Sequence, residues 1–232
     1  MSLWISSVVA DPAVQAPPVP KLDSIYDLVM AGGPVMIPLA LCSIIAFAYA
    51  VERAVRLRRS ALGLAGFDAE LLAAVGAGGV QRGLELCTQR ATPIARVMQI
   101  ALSRWGAPFV EREKVVEEAG LREVRALSAN LKPLVIVSMI APLLGFLGTV
   151  FGMIIAFTTV ALHGGLGKPE MLASGIAQAL VTTAAGLAIA IPAQAAYYWL
   201  RARIDRFARK TEDLYAAVQQ RVAAAGVPDA HS

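Results

Sequence analysis

Three stretches of the chain carry no formal charge and are each long enough to cross a bilayer. They cover residues 28–51, 133–167 and 171–200, and a membrane-spanning helix needs about 20 mainly apolar residues. A helix of about 30 residues is about 45 Å long, so the second and third are expected to tilt or to extend beyond the hydrocarbon. Three such lengths predict an all-α membrane protein with three transmembrane helices.

The composition is typical of a membrane protein. Of 232 residues, 57% are hydrophobic and 16% are charged, whereas a globular domain carries about 25% charged residues. The net charge of +4 is modest and unevenly placed, which argues against a nucleic-acid surface. Cys42 and Cys87 lie far apart in the sequence, so neither a disulfide framework nor a metal site is expected.

The basic residues set the expected orientation. They cluster after the first span, before the second and after the third, and Lys21 and Lys168 alone fall on the other side. Because basic residues favour the cytoplasmic side, the N-terminus is expected in the periplasm and the C-terminus in the cytoplasm, across a bacterial inner membrane. The expected segments are a flexible tail (1–22), a first span (23–51), a cytoplasmic helical domain (52–132), a second span (133–161), a periplasmic loop (162–170), a third span (171–200), and a C-terminal helix and tail (201–232).

Helical periodicity continues outside the spans. Residues at helical spacing predict a helix over 94–105, and a second pattern predicts a long helix from about Val110 through the second span, kinked at Pro133 and Pro142. Breaks are expected at 76–79 and 92–93. After Leu200 the third helix is expected to continue with Ile204, Phe207, Leu214, Tyr215 and Val218 on one side.

Small residues form stripes on the second and third spans. One stripe follows helical spacing through Gly145, Gly148, Gly152, Ala156 and Thr159, and the other through Gly175, Gln178, Thr182 and Ala185, with Gly186, Ala190 and Ala193 on an adjoining line. In lipid, small residues let helix backbones approach closely. These helices are therefore expected to pack tightly, against each other or against copies of themselves. The residues assigned to this packing are Gly145, Gly148, Gly152, Gly175, Gly186, Pro142 and Pro192.

Hydroxyl and amide groups lie within these spans, but ionisable groups do not. A lone threonine can bond its own helix, whereas the group together suggests a faintly polar lining. Proton relays in membranes normally use ionisable residues, and none lies within residues 28–51, 133–161 or 171–200. The sequence also lacks a catalytic pair, a phosphate-binding loop and a cofactor motif, so no enzyme is expected. The candidate pore-lining residues are Thr149, Thr159, Gln178, Thr182 and Thr183.

Three strings of the sequence resemble the ExbB/TolQ/MotA family of proton-channel subunits, with the ExbB/TolQ branch closer. The strings are APLLGFLGTVFGMIIAF, GIAQALVTTAAGLAIAIPA and the first span with its basic exit, GGPVMIPLALCSIIAFAYAVERAVRLRR. The resemblance covers residues 28–206. It implies a subunit that helps to convert the proton-motive force into mechanical work, for TonB-dependent transport or a Tol-type envelope function.

The resemblance also implies partners and residue roles. Five copies are expected to surround single-span ExbD/TolR-like partners whose membrane Asp carries the proton, and a TonB- or TolA-like protein is a further expected partner. Thr149 and Thr183 match the pore threonines of the family, while Gln178 stands where ExbB and TolQ members carry a Glu.

Two other classes of function stay open at this point. A non-conducting oligomeric scaffold would use the same small-residue stripes to organise its partners. A solute carrier fits less well, because three spans without a midplane charge or an internal repeat do not form a binding site.

Overall fold

The computed structural model describes residues 32–162 and 169–224, and within these ranges the regular structure is entirely helical. The prediction of an all-α membrane protein is confirmed. The helices are α1 (Met36–Arg56), α2 (Arg59–Leu62), α3 (Phe67–Gln89), α4 (Pro93–Ser103), α5 (Phe109–Ala129), α6 (Lys132–Leu162) and α7 (Pro169–Ala224).

Helices α1, α6 and α7 are long and apolar enough to cross a membrane. Their large apolar side chains stay exposed along much of each helix, among them Phe47 on α1, Phe146 on α6 and Leu180 on α7, at 73%, 66% and 64% of full exposure. Such surfaces are unfavourable in water and are satisfied by lipid. Helix α7 has 56 residues, which corresponds to about 84 Å, so it extends far beyond any hydrocarbon layer.

Helix α1 begins inside the predicted first span and ends five residues beyond it. The sequence suggests a helix over 23–51, whereas α1 runs from Met36 to Arg56. Gly33 adopts a left-handed φ of 68°, and its carbonyl accepts a bond from the Met36 amide at 3.1 Å. Together with Pro34, this turn fixes the start of the helix. The predicted tail (1–22), the first nine residues of the predicted first span (23–31), and residues 163–168 and 225–232 lie outside the described residues.

The long helix predicted from Val110 through the second span is wrong, because it is divided into α5 and α6. Helix α5 ends at Ala129, Asn130 caps it, and α6 starts at Lys132. Pro133 therefore sits in the first turn of a new helix, where its missing N–H costs nothing. The other predicted breaks are confirmed: α3 is kinked at Gly78 and Gly79, the latter with a φ of 67°, and Pro93 opens α4.

The described residues fall into two compact units, and α1, α6 and α7 each contribute to both. The first unit contains the described part of Met1–Leu41 together with Ala141–Ile189, and the second contains Cys42–Ile140 and Ala190–Ser232. In the second unit α4 packs against both α3 and α5. Its predicted apolar face is buried, and so are the α7 residues Ile204, Phe207, Leu214 and Val218.

Ion pairs link the helices of the second unit. Arg96 on α4 donates two hydrogen bonds to the Glu123 carboxylate on α5, at 2.8 and 2.7 Å. Lys210 on α7 donates to Asp68 at the start of α3, at 2.6 Å. This hydrogen bond lowers the pKa of Asp68 below its ordinary value of 3.8.

The Asp68–Lys210 pair should make stability depend on acid pH. Because the folded state lowers the pKa of Asp68, the pair stabilises the protein above pH 3.8 and loses its effect as the pH falls through the folded pKa. Asp68→Asn should therefore lower the free energy of unfolding at pH 7 by less than about 1 kcal/mol, since both groups are partly exposed. Thermal unfolding in detergent between pH 7 and pH 3 is the measurement.

The control for this prediction is Glu118→Gln, which removes an exposed carboxylate on α5. The gap between the wild type and Asp68→Asn should close as the pH falls, while Glu118→Gln should follow the wild type throughout. A gap that is constant over the whole range would contradict the assigned role of the pair.

A glycine-packed helix pair as the candidate pore site

Helices α6 and α7 approach each other through glycine in the first unit. A Cβ placed on Gly152 would lie 3.0 Å from the Gly175 carbonyl oxygen, and one on Gly145 would lie 3.0 Å from the Thr182 carbonyl oxygen. Such distances are tighter than ordinary van der Waals contact, so the two antiparallel backbones meet directly. Close backbone approach replaces the missing hydrophobic drive between helices in lipid.

The contacting line on α7 differs from the predicted one. The sequence suggests Gly175, Gln178, Thr182 and Ala185, whereas the residues that meet α6 are Gly175, Ala179, Thr182 and Gly186. Of these residues Gly186 comes nearest to the facing backbone, because an added Cβ would lie 2.6 Å from the Ala141 carbonyl oxygen. Both lines satisfy helical spacing, but the observed one contains the smaller side chains.

Thr182 is grouped with the pore-lining residues by its sequence position, but the structure places it inside the contact. Its side chain is 1% exposed and packs against Gly148. Its hydroxyl donates to the Ala179 carbonyl of its own helix at 2.7 Å. Thr182 therefore fills the interface between α6 and α7 and is buried within the single chain.

Thr149 and Thr183 lie together on one flank of the pair, named here the threonine flank. At about 100° per residue, each is rotated by about 60–70° from the contact line of its helix, in the same rotational sense. Because the helices are antiparallel, the same sense places both on one side. The Thr183 hydroxyl donates across the pair to the Gly145 carbonyl at 3.1 Å, and the Thr149 hydroxyl donates to the Phe146 carbonyl at 2.6 Å.

Gln178 lies elsewhere, next to the segment that precedes α1. It is about 140° around α7 from Thr183, and its amide is against Gly33. It lines a cavity of about 300 Å³ together with Pro34 and Phe151. Sequence reasoning missed this contribution of residues 32–35, although the Gly-Gly-Pro string is a turn signal that could have indicated it.

The remaining predicted residues lie away from the threonine flank. Thr159 is half-buried, and its hydroxyl donates to the Ile155 carbonyl at 2.8 Å. Pro142 and Pro192 stand within the continuous helices α6 and α7. Neither proline forms part of the line of glycines. Of the five candidate pore residues, the structure thus brings together Thr149 and Thr183.

The glycine contact predicts opposite effects for two Gly→Ala substitutions. Gly186→Ala should destabilise the protein by about 1–3 kcal/mol, because overpacking forces the helices apart. Gly120→Ala, in the middle of α5, places its Cβ in open space and should stabilise by up to about 1 kcal/mol through helix propensity. Thermal unfolding of both variants in one detergent compares them. An unchanged midpoint for Gly186→Ala would mean that the helices are not in direct contact.

Comparison with known proteins places this helix pair in a wider group. The sequence profile of the MotA/TolQ/ExbB proton channel family matches residues 89–213, which is more than half of the chain. The ExbB1 biopolymer transport protein of Vibrio cholerae is 45% identical over 85 residues, covering 37% of each chain. The Tol-Pal system protein TolQ of Haemophilus influenzae is 41% identical over 85 residues, covering 36% of each chain.

A longer alignment relates the chain to the ExbB-like 1 biopolymer transport protein of a Synechocystis species. It is 34% identical over 171 residues, covering 72% of this chain and 66% of the relative. The chain spans between about a third and two thirds of the length of these relatives. With three apolar helices and a profile match over more than half of its length, the chain belongs to the MotA/TolQ/ExbB proton channel family.

Proposed function

We propose that this protein is the pore-forming subunit of an inner-membrane proton channel that couples the proton-motive force to mechanical work in the cell envelope. Family membership supports the channel class. The observation that carries the proposal for this chain is the threonine flank, on which Thr149 and Thr183 lie on neighbouring helices within a largely apolar surface. The N-terminus is proposed to face the periplasm, and the C-terminus the cytoplasm.

The two hydroxyl groups of the threonine flank donate within the helix pair, so they can only accept hydrogen bonds from other molecules. Each hydroxyl hydrogen is used within the helix pair, by the Phe146 carbonyl for Thr149 and by the Gly145 carbonyl for Thr183. The oxygen lone pairs are therefore left as acceptors. Acceptors of this kind suit a hydrated proton or the O–H of a protonated carboxyl group.

The chain does not supply the proton carrier within its own spans. Its three apolar stretches contain no carboxylate, and a threonine hydroxyl does not titrate near neutral pH. A charge at the bilayer centre costs several kcal/mol, about 2.5 or more on insertion scales. We therefore propose a single-span ExbD/TolR-like partner whose membrane Asp carries the proton, with a TonB- or TolA-like protein receiving the work.

The partner is proposed to lie on the axis of a homo-oligomer, expected to be a pentamer. Exposed apolar side chains remain on α6 on the side away from α7, including Leu143, Val150 and Ile154. A ring of copies would cover part of this surface and would turn the threonine flanks toward a common lumen.

The direct test is proton uptake by proteoliposomes that contain this chain alone, the chain with its partner, or the chain with the partner's Asp changed to Asn. The chain alone should be proton-tight, flux should appear with the partner, and the Asn change should abolish it. Substantial flux from the chain alone would overturn the mechanism. Flux that is absent under every condition would favour the non-conducting scaffold.

Thr149 can be tested against a matched threonine on the same helix. Thr149→Val should lower partner-dependent flux by roughly fivefold, the equivalent of one lost hydrogen-bond acceptor, whereas Thr149→Ser should retain it. Thr158→Val is the control, because the Thr158 hydroxyl also donates to a carbonyl of its own helix, at 2.7 Å. Thr158 borders the same cavity as Thr149 but is rotated by about 180° from it around α6, away from the threonine flank. Equal flux from both Val variants would contradict a role for the threonine flank.

Thr183→Val is a second test of the threonine flank. It removes both the acceptor and the bond to Gly145, so it should lower flux and the thermal stability together, unlike Thr149→Val. A Thr183→Val protein with wild-type flux would exclude Thr183 from the pore.

A further inference from the structure

A basic pocket of about 640 Å³ lies in the second unit, where α7 leaves its apolar stretch. One wall is the leucine-bearing segment 57–64 that follows α1. The other wall is one side of α7, on which Trp199 is followed by cationic side chains at helical spacing. These cations are Arg203, Arg206, Arg209 and Lys210.

Contacts within the pocket hold one guanidinium in place and leave others available. The Arg203 guanidinium stacks 3.8 Å above the centre of the Trp199 ring, and it donates to the Leu57 carbonyl at 3.3 Å. Lys210 is paired with Asp68. Arg206 donates to the Ala202 carbonyl at 3.2 Å, and among the described residues neither Arg206 nor Arg209 has a carboxylate partner. Asp213 adds one negative charge, so the pocket keeps a positive excess.

The arginines of the pocket follow directly after the uncharged stretch of α7, where a headgroup layer is expected to begin. The uncharged stretch of α7 ends at Leu200, and Arg203 and Arg206 follow it by about 5 and 9 Å of helix rise. The polar layer on each side of a bilayer is about 5–8 Å thick. Helical side chains tilt toward the N-terminus, so even the Arg209 side chain is directed back toward the membrane.

We propose that this pocket binds the headgroup of an anionic phospholipid of the surrounding bilayer. Guanidinium groups recognise phosphate through paired hydrogen bonds. Trp199 is half-exposed and Leu64 is partly exposed, so these two side chains offer an apolar wall for the glycerol and upper acyl region, as expected of interfacial tryptophan. A free phosphate ion would make no use of that apolar wall, and this favours the lipid as the occupant.

The proposal is tested on the full-length protein in detergent by native mass spectrometry. Phosphatidylglycerol is titrated in parallel with phosphatidylethanolamine, against the wild type, the double variant Arg206→Gln/Arg209→Gln and the control Arg122→Gln/Arg125→Gln. The control removes two exposed arginines with the same three-residue spacing on α5. Arg203 is left intact because it packs on Trp199 and could be needed for folding.

The wild type should retain phosphatidylglycerol in preference to phosphatidylethanolamine. The pocket variant should weaken phosphatidylglycerol binding by roughly fivefold per removed charge, about 30-fold in total, while the control stays within about twofold. Equal losses in both double variants would overturn the proposal in favour of general surface charge.

Two further outcomes would also overturn it. Displacement of phosphatidylglycerol by an equal concentration of inorganic phosphate would identify a free-anion site. A change of oligomer mass in the pocket variant, with lipid binding unaltered, would mean that a second copy of the chain occupies the pocket. The lipid site does not depend on proton conduction, so the flux assay can fail without affecting this test.

Discussion

The direct contact between the backbones of α6 and α7 is the constraint on which the candidate site depends. Lipid surrounds apolar side chains as well as another helix does, so these helices are held by close packing. Gly145 and Gly186 allow that approach, since a single Cβ at either position would meet backbone atoms of the facing helix. The same closeness brings the Thr183 hydroxyl within reach of the Gly145 carbonyl. The position of the threonine flank therefore depends on the glycine residues that let the two helices approach.

Sequence periodicity predicted the α6 side of this contact, whereas on α7 it placed Gly175 and Gly186 on two adjoining lines that the structure joins into one. On α6 a single line of small residues exists, and it is the line in contact. On α7, Gln178 and Ala185 satisfy the same spacing as Ala179 and Gly186. Periodicity cannot choose between these lines, but side-chain volume can, because a glutamine does not fit where a backbone must pass. The sequence contained this information, although spacing alone did not reveal it.

Helix limits were the other difference between sequence and structure, and the reasons are local. A proline such as Pro133 kinks a helix when the residues before it are helical, and it starts a helix when they are not. Here Asn130 caps α5, so Pro133 lies in the first turn of α6. The start of α1 is set by the turn at Gly33 and Pro34, a turn signal that lies inside the stretch assigned to the first span by hydrophobicity. Orientation and assembly leave no trace in a single chain's backbone, so they stay predictions.

The polarity of the threonine flank has a consequence for any acidic group placed beside it. An acceptor oxygen can bond a protonated carboxyl but not a carboxylate, so two such acceptors favour the neutral form and raise the pKa of the acid. An apolar surround acts in the same direction, because it disfavours charge. A carboxyl group would therefore remain protonated along the flank and would release its proton where water becomes available. A surface without an ionisable group of its own can in this way control where a neighbouring acid releases its proton.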